Sequence, residues 1–166
     1  SYPYIKELYD AGVVSGTSAT TFSPAANVTR AQFVTMLAGL AGADVSNCPA
    51  TPFRDVPEGA WYAPYVNWAL ANGIVSGTSA VTFSPDASIT RQDMAVMLYS
   101  YTQRYQVHLQ QQPVTPFTDA GSIAAYAQIA VQTLQRAGVI SGMPDGSFQP
   151  YGTATREQAC TMLCML

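Results

Sequence analysis

One 27-residue pattern occurs three times in this chain, and a fold that ignores it cannot be right. AGVVSGTSATTFSPAANVTRAQFVTML (11–37) aligns without a gap to NGIVSGTSAVTFSPDASITRQDMAVML (72–98), at an offset of 61. AGVISGMPDGSFQPYGTATREQACTML (137–163) follows at an offset of 65. Gly12/Gly73/Gly138, Gly16/Gly77/Gly142, Phe22/Phe83/Phe148, Pro24/Pro85/Pro150 and Arg30/Arg91/Arg156 superimpose. Upstream, TPFRDVPEGAWYAPYVNWAL (51–70) matches TPFTDAGSIAAYAQIAVQTL (115–134) with one extra residue after the second Asp. The same register puts Ser1 opposite Tyr62, so the corresponding piece of the first unit would precede residue 1. The expectation is a fragment cut inside its first unit, and Ser1-Tyr2-Pro3 has neither an initiator Met nor the basic start and apolar run of a signal peptide.

Each unit reads as two helices around a loop. The first helix carries apolar residues such as Val66 and Ala69, or Val131 and Leu134, and stops at Gly12, Gly73 or Gly138. A glycine at C′ followed by an apolar residue (Val13, Ile74, Val139) is a Schellman-type stop. The loop then runs Gly-x-x-x-Gly, five variable residues, Phe-x-Pro. The second helix starts at a threonine: Thr29–Gln32, Thr90–Asp93 and Thr155–Gln158 have capping-box spacing, loosely for Asp93. Its apolar stripe is Phe33, Met36, Leu37 and Leu40 in the first copy, then Met94, Met97, Leu98 and Tyr101, then Ala159, Met162, Leu163 and Leu166. Such a stripe needs a cover, and a unit of about 60 residues is marginal alone. The expected fold is therefore all-α, with three helix-loop-helix repeats in a pseudo-threefold arrangement around a shared helical bundle. The boundaries are 1–50, 51–114 and 115–166, with 41–52 and 105–116 as linkers and the latter a candidate to prolong its helix.

Composition narrows the function classes. With 48% hydrophobic and 10% charged residues the chain is a folded one. A net charge of −3 leaves no basic stripe for phosphates, which excludes a nucleic-acid reader. No apolar run approaches the roughly 18–20 residues of a membrane-spanning helix. Low charge with abundant Ser, Thr, Gln, Tyr and Ala points to a secreted or surface protein. Three cysteines without CxxC spacing argue against a disulfide framework.

Catalytic chemistry finds no support. The only histidine, His108, stands in the Gln-rich linker without a partner for a triad. Asp55 and Asp119 occur once per unit and make no local carboxylate pair. Cys160 and Cys164 lie i, i+4, but their repeat equivalents are Val34 and Ala38, or Ala95 and Tyr99, so they read as packed thiols. No cofactor or metal is implied.

Three of the six arginines occupy one equivalent position, directly after the N-cap threonine. A cation there opposes the helix dipole by roughly 0.3–1 kcal/mol, so capping does not explain it. Two readings stay open. Arg30, Arg91 and Arg156 could bond loop carbonyls or an acidic residue of a neighbouring unit, or present planar forks to a carboxylate ligand, aided by free amides at the helix start. The loops Ser15-Gly16, Ser76-Gly77 and Ser141-Gly142 lie near, their glycine allowing either a close approach of backbone to a ligand or a positive φ. Trp61 and Tyr126 share one site and suit either a sugar face or the core.

Phe-x-Asp, the aromatic, Gly-(Ile/Val)-(Val/Ile)-Ser-Gly, Phe-x-Pro and Thr-Arg-x-(Gln/Asp) together resemble the S-layer homology (SLH) domain family over almost the whole chain. The family's usual end motif is Thr-Arg-Ala-Glu, whereas the fourth residue here is Gln32, Asp93 or Gln158. The resemblance implies a single-chain trio of repeats forming a three-pronged spindle, part of a larger protein held non-covalently at the bacterial cell surface. It implies a secondary cell-wall polysaccharide as ligand, often carrying a pyruvate ketal on N-acetylmannosamine. By position, Arg30, Arg91 and Arg156 would pair with the ketal carboxylate, and Asp55 and Asp119 would bond sugar hydroxyls. The Ser15-Gly16, Ser76-Gly77 and Ser141-Gly142 loops would line the groove, and Trp61 or Tyr126 would flank it. The rival reading is a protein-interaction or surface-assembly module using the same grooves.

Overall fold

The threonine caps set the start of every second helix. In the computed structural model, which describes residues 26–166, α1 spans Arg30–Ala41, α2 Ala63–Ala71, α3 Arg91–Arg104, α4 Gln128–Arg136 and α5 Arg156–Cys164. Two short 3-10 turns, Ala120–Ser122 and Ala125–Ala127, precede α4. Among the described residues the structure is all-α, with no strand beyond three isolated bridges. Thr29 and Thr155 form complete capping boxes: Gln32 N–H donates to Thr29 Oγ1 (3.1 Å) and Thr29 N–H to Gln32 Oε1 (3.0 Å). The Thr155–Gln158 pair repeats this at 3.2 and 3.0 Å. At Thr90 only the forward half forms, from Asp93 N–H at 3.3 Å. Aspartate is one methylene shorter than glutamine, and its carboxylate turns elsewhere.

The first helices end as Schellman motifs. Gly73 (φ +70°) donates to Leu70 O and Ile74 to Ala69 O, while Gly138 (φ +75°) donates to Gln135 O and Val139 to Leu134 O. The stop at Gly12 lies outside the described residues. α3 closes in the same way with Gln106 at φ +54° and a bond from Val107 N–H to Thr102 O. Residues 105–116 therefore do not prolong the helix as the sequence suggested; the chain leaves α3 and runs on to dock on the end of α4, Gln112 N–H reaching Arg136 O at 2.9 Å.

Covering of the apolar stripes crosses repeat boundaries. α1 packs on α2, α3 packs on α4, and α1 also touches α5. Each of the first two second-helices is thus shielded by the first helix of the next unit, which ties the repeats into one core. Phe33, Met94 and Ala159, equivalent by register, are fully buried in it.

Backbone hydrogen bonds link the three repeats in a closed cycle. Val28 N–H donates to Ala154 O (3.0 Å), Ala154 N–H to Ile89 O (3.3 Å) and Ile89 N–H to Val28 O (2.8 Å). These residues are repeat equivalents, and all three are wholly buried. A second cycle joins the helix starts: Arg30 N–H to Ala87 O, Arg91 N–H to Gly152 O, and Arg156 N–H to Ala26 O, at 2.8–2.9 Å. Ala31 and Gln92 also donate to Pro85 O and Pro150 O of the following unit. The first two amides of α1 and α3 are consequently spent on protein carbonyls, and the third on a threonine hydroxyl. These helix starts offer no free amides to an anion, contrary to the expectation.

Candidate functional site

Each of two described grooves rests on a layered stack built from sequence-distant residues. The Phe53 ring lies beside Gly77, and its centroid is 5.7 Å from that of Phe83. The Arg30 guanidinium carbon sits 4.9 Å from the centre of the Phe83 ring. In the next unit Phe117 lies beside Gly142, stacks on Phe148 at 5.1 Å, and Arg91 stands 4.9 Å over Phe148. Arginine on an aromatic face adds a cation–π attraction to the buried area.

The second loop glycine serves this stack. A Cβ on Gly77 would stand 2.2 Å from Ser79 O, 2.3 Å from Thr82 O and 2.6 Å from Phe53. On Gly142 it would stand 2.7 Å from Ser147 O and 2.8 Å from Phe117. Neither has a positive φ. Neither alternative read from the sequence, a close approach to a ligand or a positive φ, accounts for these two glycines; their close approach is to the protein's own backbone and phenylalanine.

Asp55 and Asp119, expected to bond sugar hydroxyls, line neither groove and act as backbone cradles. Asp55 accepts from Phe83 N–H and Ser84 N–H through separate oxygens, both at 2.8 Å. Asp119 accepts from Phe148 N–H (2.8 Å) and Gln149 N–H (2.9 Å). Ser84 and Gln149, both at φ +59°, are non-glycine residues in the left-handed region. Each carboxylate thus clamps the turn that carries Phe-x-Pro. At Asp119 partial burial pushes the carboxyl upward, but the two amides outweigh it and hold the group below the ordinary aspartate value.

The arginines are buried: Arg30 is 6% exposed, Arg91 4% and Arg156 6%. Arg30 Nε donates to Phe83 O (2.9 Å), and Arg91 Nε to Phe148 O (2.8 Å) with Nη2 to Ser141 O (3.2 Å). Burial pulls all three below the ordinary arginine value, yet a guanidinium stays cationic at neutral pH. The reading in which these residues bond a neighbouring unit's carbonyls therefore holds for Arg30 and Arg91. They are repeat-to-repeat fasteners, and each keeps N–H groups on the wall of a groove.

The first groove, about 400 Å³, is lined by Arg30, Ser76, Gly77, Thr78, Asp93 and Tyr126, with apolar residues beneath. Three repeats contribute to it. Arg30 Nη1 pairs with Asp93 Oδ2 at 3.0 Å, and Tyr126 donates its phenol to Asp93 Oδ1 at 2.5 Å. Partial burial and the bond to Asp93 push the Tyr126 hydroxyl up to about 12. The second groove, about 460 Å³, is lined by Arg91, Ser141, Gly142, Thr155, Glu157 and Gln158. Gln158 stands where the first groove has Asp93.

Of the residues singled out from sequence, Arg30, Ser76, Gly77 and Tyr126 meet in one groove and Arg91, Ser141 and Gly142 in the other. Trp61 is exposed, edge-on to Tyr62 at 5.4 Å, and lines neither. Ser15 and Gly16 lie outside the described residues. Groove residues were also missed. The carboxylate role of Asp93 was signalled by its departure from Gln32 and Gln158. Glu157, which lines the second groove, corresponds to Ala31 and Gln92 and carried no repeat signal.

His108 is exposed on the linker after α3, and the cysteines form no disulfide. Cys160 is fully buried in α5, which pushes its thiol up to about 11. At pH 8 the folded protein should therefore lose half-buried Cys48 to iodoacetamide well before Cys160, whose alkylation should require denaturant. Peptide mass mapping of the native reaction checks this; equal rates would contradict the burial.

Comparison with known proteins follows the repeats. The S-layer homology domain model matches residues 1–34, 52–95 and 116–160. An endoglucanase of Bacillus sp. (strain KSM-635) is 39% identical over 169 residues, covering all of this chain. A cellulosome-anchoring protein of Acetivibrio thermocellus is 28% identical over 86% of the chain, and the surface-layer 125 kDa protein of Lysinibacillus sphaericus 28% over 83%. The chain spans 17%, 32% and 11% of those proteins' lengths, respectively.

Proposed function

The chain belongs to the S-layer homology domain family, and from that premise we propose that it is a non-catalytic anchoring module of a larger bacterial cell-surface protein, with wall polysaccharide as its ligand. Enzymes and surface-layer proteins alike carry a matching segment that is a minor part of their length. A segment shared by such different proteins is better suited to anchoring than to any one reaction. The recognised feature would be a carboxylated sugar, a pyruvate ketal on N-acetylmannosamine in a secondary cell-wall polysaccharide.

One observation carries this reading. Two repeat-equivalent grooves each set a buried guanidinium edge against an exposed Ser-Gly loop. That geometry suits a planar carboxylate flanked by sugar hydroxyls. The closed cycles of backbone bonds support a pseudo-threefold spindle with one repeat in each of 1–50, 51–114 and 115–166. Modest affinities at separate grooves would add through multivalency along a repeating polymer.

The test is co-sedimentation of the purified chain with wall polysaccharide before and after acid removal of ketal pyruvate. Binding should fall by about tenfold or more on removal, the loss of a charge-assisted pair. Undiminished binding would overturn the carboxylate reading.

A further inference from the structure

Resting on that glycan-binding reading, we infer that the chain divides its grooves by charge: Asp93 occupies the carboxylate position beside Arg30, so the anionic sugar is taken at the Arg91 groove and the Arg30 groove is left for an uncharged one.

The two grooves share a frame of equivalent residues, although Thr78 and Val96 of the first are replaced by Met143 and Thr161 in the second, and Glu157 lines the second alone. Arg30 corresponds to Arg91, Ser76-Gly77 to Ser141-Gly142, and Met97 to Met162. At the helix-cap position the residues differ. Gln158 is neutral and bonded back to Thr155 N–H, so it is held in its cap and brings no charge. Asp93 is too short for that return bond. Its oxygens instead take Arg30 Nη1 at 3.0 Å and the Tyr126 hydroxyl at 2.5 Å. The Arg30 cation is thereby neutralised by the protein itself. An anion entering there would have to displace Asp93 or sit beside an uncompensated carboxylate.

Arg91 differs. It is 4% exposed and bonded to two carbonyls, and although the Asp119 carboxylate stands in its surroundings, it makes no ion pair among the described residues. A buried cation without a direct ion pair gains more from an incoming anion than one already paired. Glu157 also lines this groove but makes no ion pair with Arg91, and its oxygens can accept from sugar hydroxyls. Tyr126, 63% exposed, leaves the Arg30 groove an aromatic wall of the kind that suits an uncharged sugar face.

The experiment titrates the 166-residue chain with methyl N-acetylmannosaminide bearing a pyruvate ketal, and with the ketal-free sugar, while backbone amide shifts are followed. The ketal sugar should move Ser141, Gly142 and Gln158 and leave Ser76 and Gly77 in place. Asp93→Gln keeps a capping side chain and removes the charge, so it should add one ketal-binding site, with new shifts at Ser76 and Gly77. Arg91→Gln should weaken the Ser141–Gly142 response by about tenfold or more. Ketal-induced shifts at Ser76 and Gly77 of the unaltered chain equal to those at Ser141 and Gly142 would overturn the division of grooves and leave glycan binding standing. Silence of both loops towards the ketal sugar, in the unaltered chain and in Asp93→Gln alike, would overturn both.

Discussion

Gly77→Ala is expected to cost about 3 kcal/mol or more of stability, at the upper end of what overpacking does. The new methyl would lie 2.2 and 2.3 Å from the carbonyl oxygens of Ser79 and Thr82 and 2.6 Å from the Phe53 ring. Both oxygens belong to a loop cross-linked by its own side chains. Ser79 Oγ accepts from Val81 and Thr82 N–H, and Thr78 Oγ1 lies 2.8 Å from Ser84 Oγ. The loop cannot open without breaking these, and Phe53 cannot retreat without losing Phe83 and the platform under Arg30. For a chain of this size the transition should fall by roughly 6–12 °C. Gly121→Ala, which meets nothing within 4 Å, is the control and should stay within about 0.5 kcal/mol. Thermal unfolding followed by circular dichroism reads both. A Gly77→Ala midpoint equal to the control's would show that the loop relaxes freely around the methyl.

That glycine also marks how far the sequence could be read. Its recurrence at 16, 77 and 142 left a close approach to a ligand and a positive φ both open, and repetition does not decide between them. The approaching atoms come from Phe53 and the far side of the same loop, and these become neighbours only once the chain has folded. The helix caps were legible because Thr29–Gln32 and Thr155–Gln158 act within one turn. The glycine stops were legible for the same reason. Arg30 and Arg91 were legible as anomalies, since a cation at a helix start has no local justification; their partners, Phe83 and Phe148, lie 53 and 57 residues away. Asp55 and Asp119 reach 28 to 30 residues forward to their amides. Local physics specified the elements, and closure of the repeats onto one another decided which polar groups remain for a ligand.

Asp119→Ala should lower stability by about 3 kcal/mol, and Asp119→Asn by nearly as much. The aspartate accepts one amide on each oxygen, and a hydrogen bond to a charged group contributes about 1.5–3 kcal/mol. Asparagine has one acceptor oxygen; its amide nitrogen would face a second N–H and repel it. Near-equality of the two variants is thus the mark of a double acceptor, whereas a simple volume or surface role would leave Asn close to the unaltered chain. The effect should also depend on pH with a definite sign. The folded carboxyl lies below its unfolded value, near 3.9, so its contribution is full above that value and is lost as pH falls through the folded one. Urea unfolding at pH 7 should separate Asp119→Ala from the unaltered chain by the whole amount, and the gap should narrow as pH falls below about 4. A gap that persists unchanged into acid would mean that the neutral acid holds the Phe148–Gln149 turn as well as the carboxylate does. The Arg91 groove hangs on that turn through the Phe148 carbonyl and ring, so the same acid range should loosen the fold and the groove wall together.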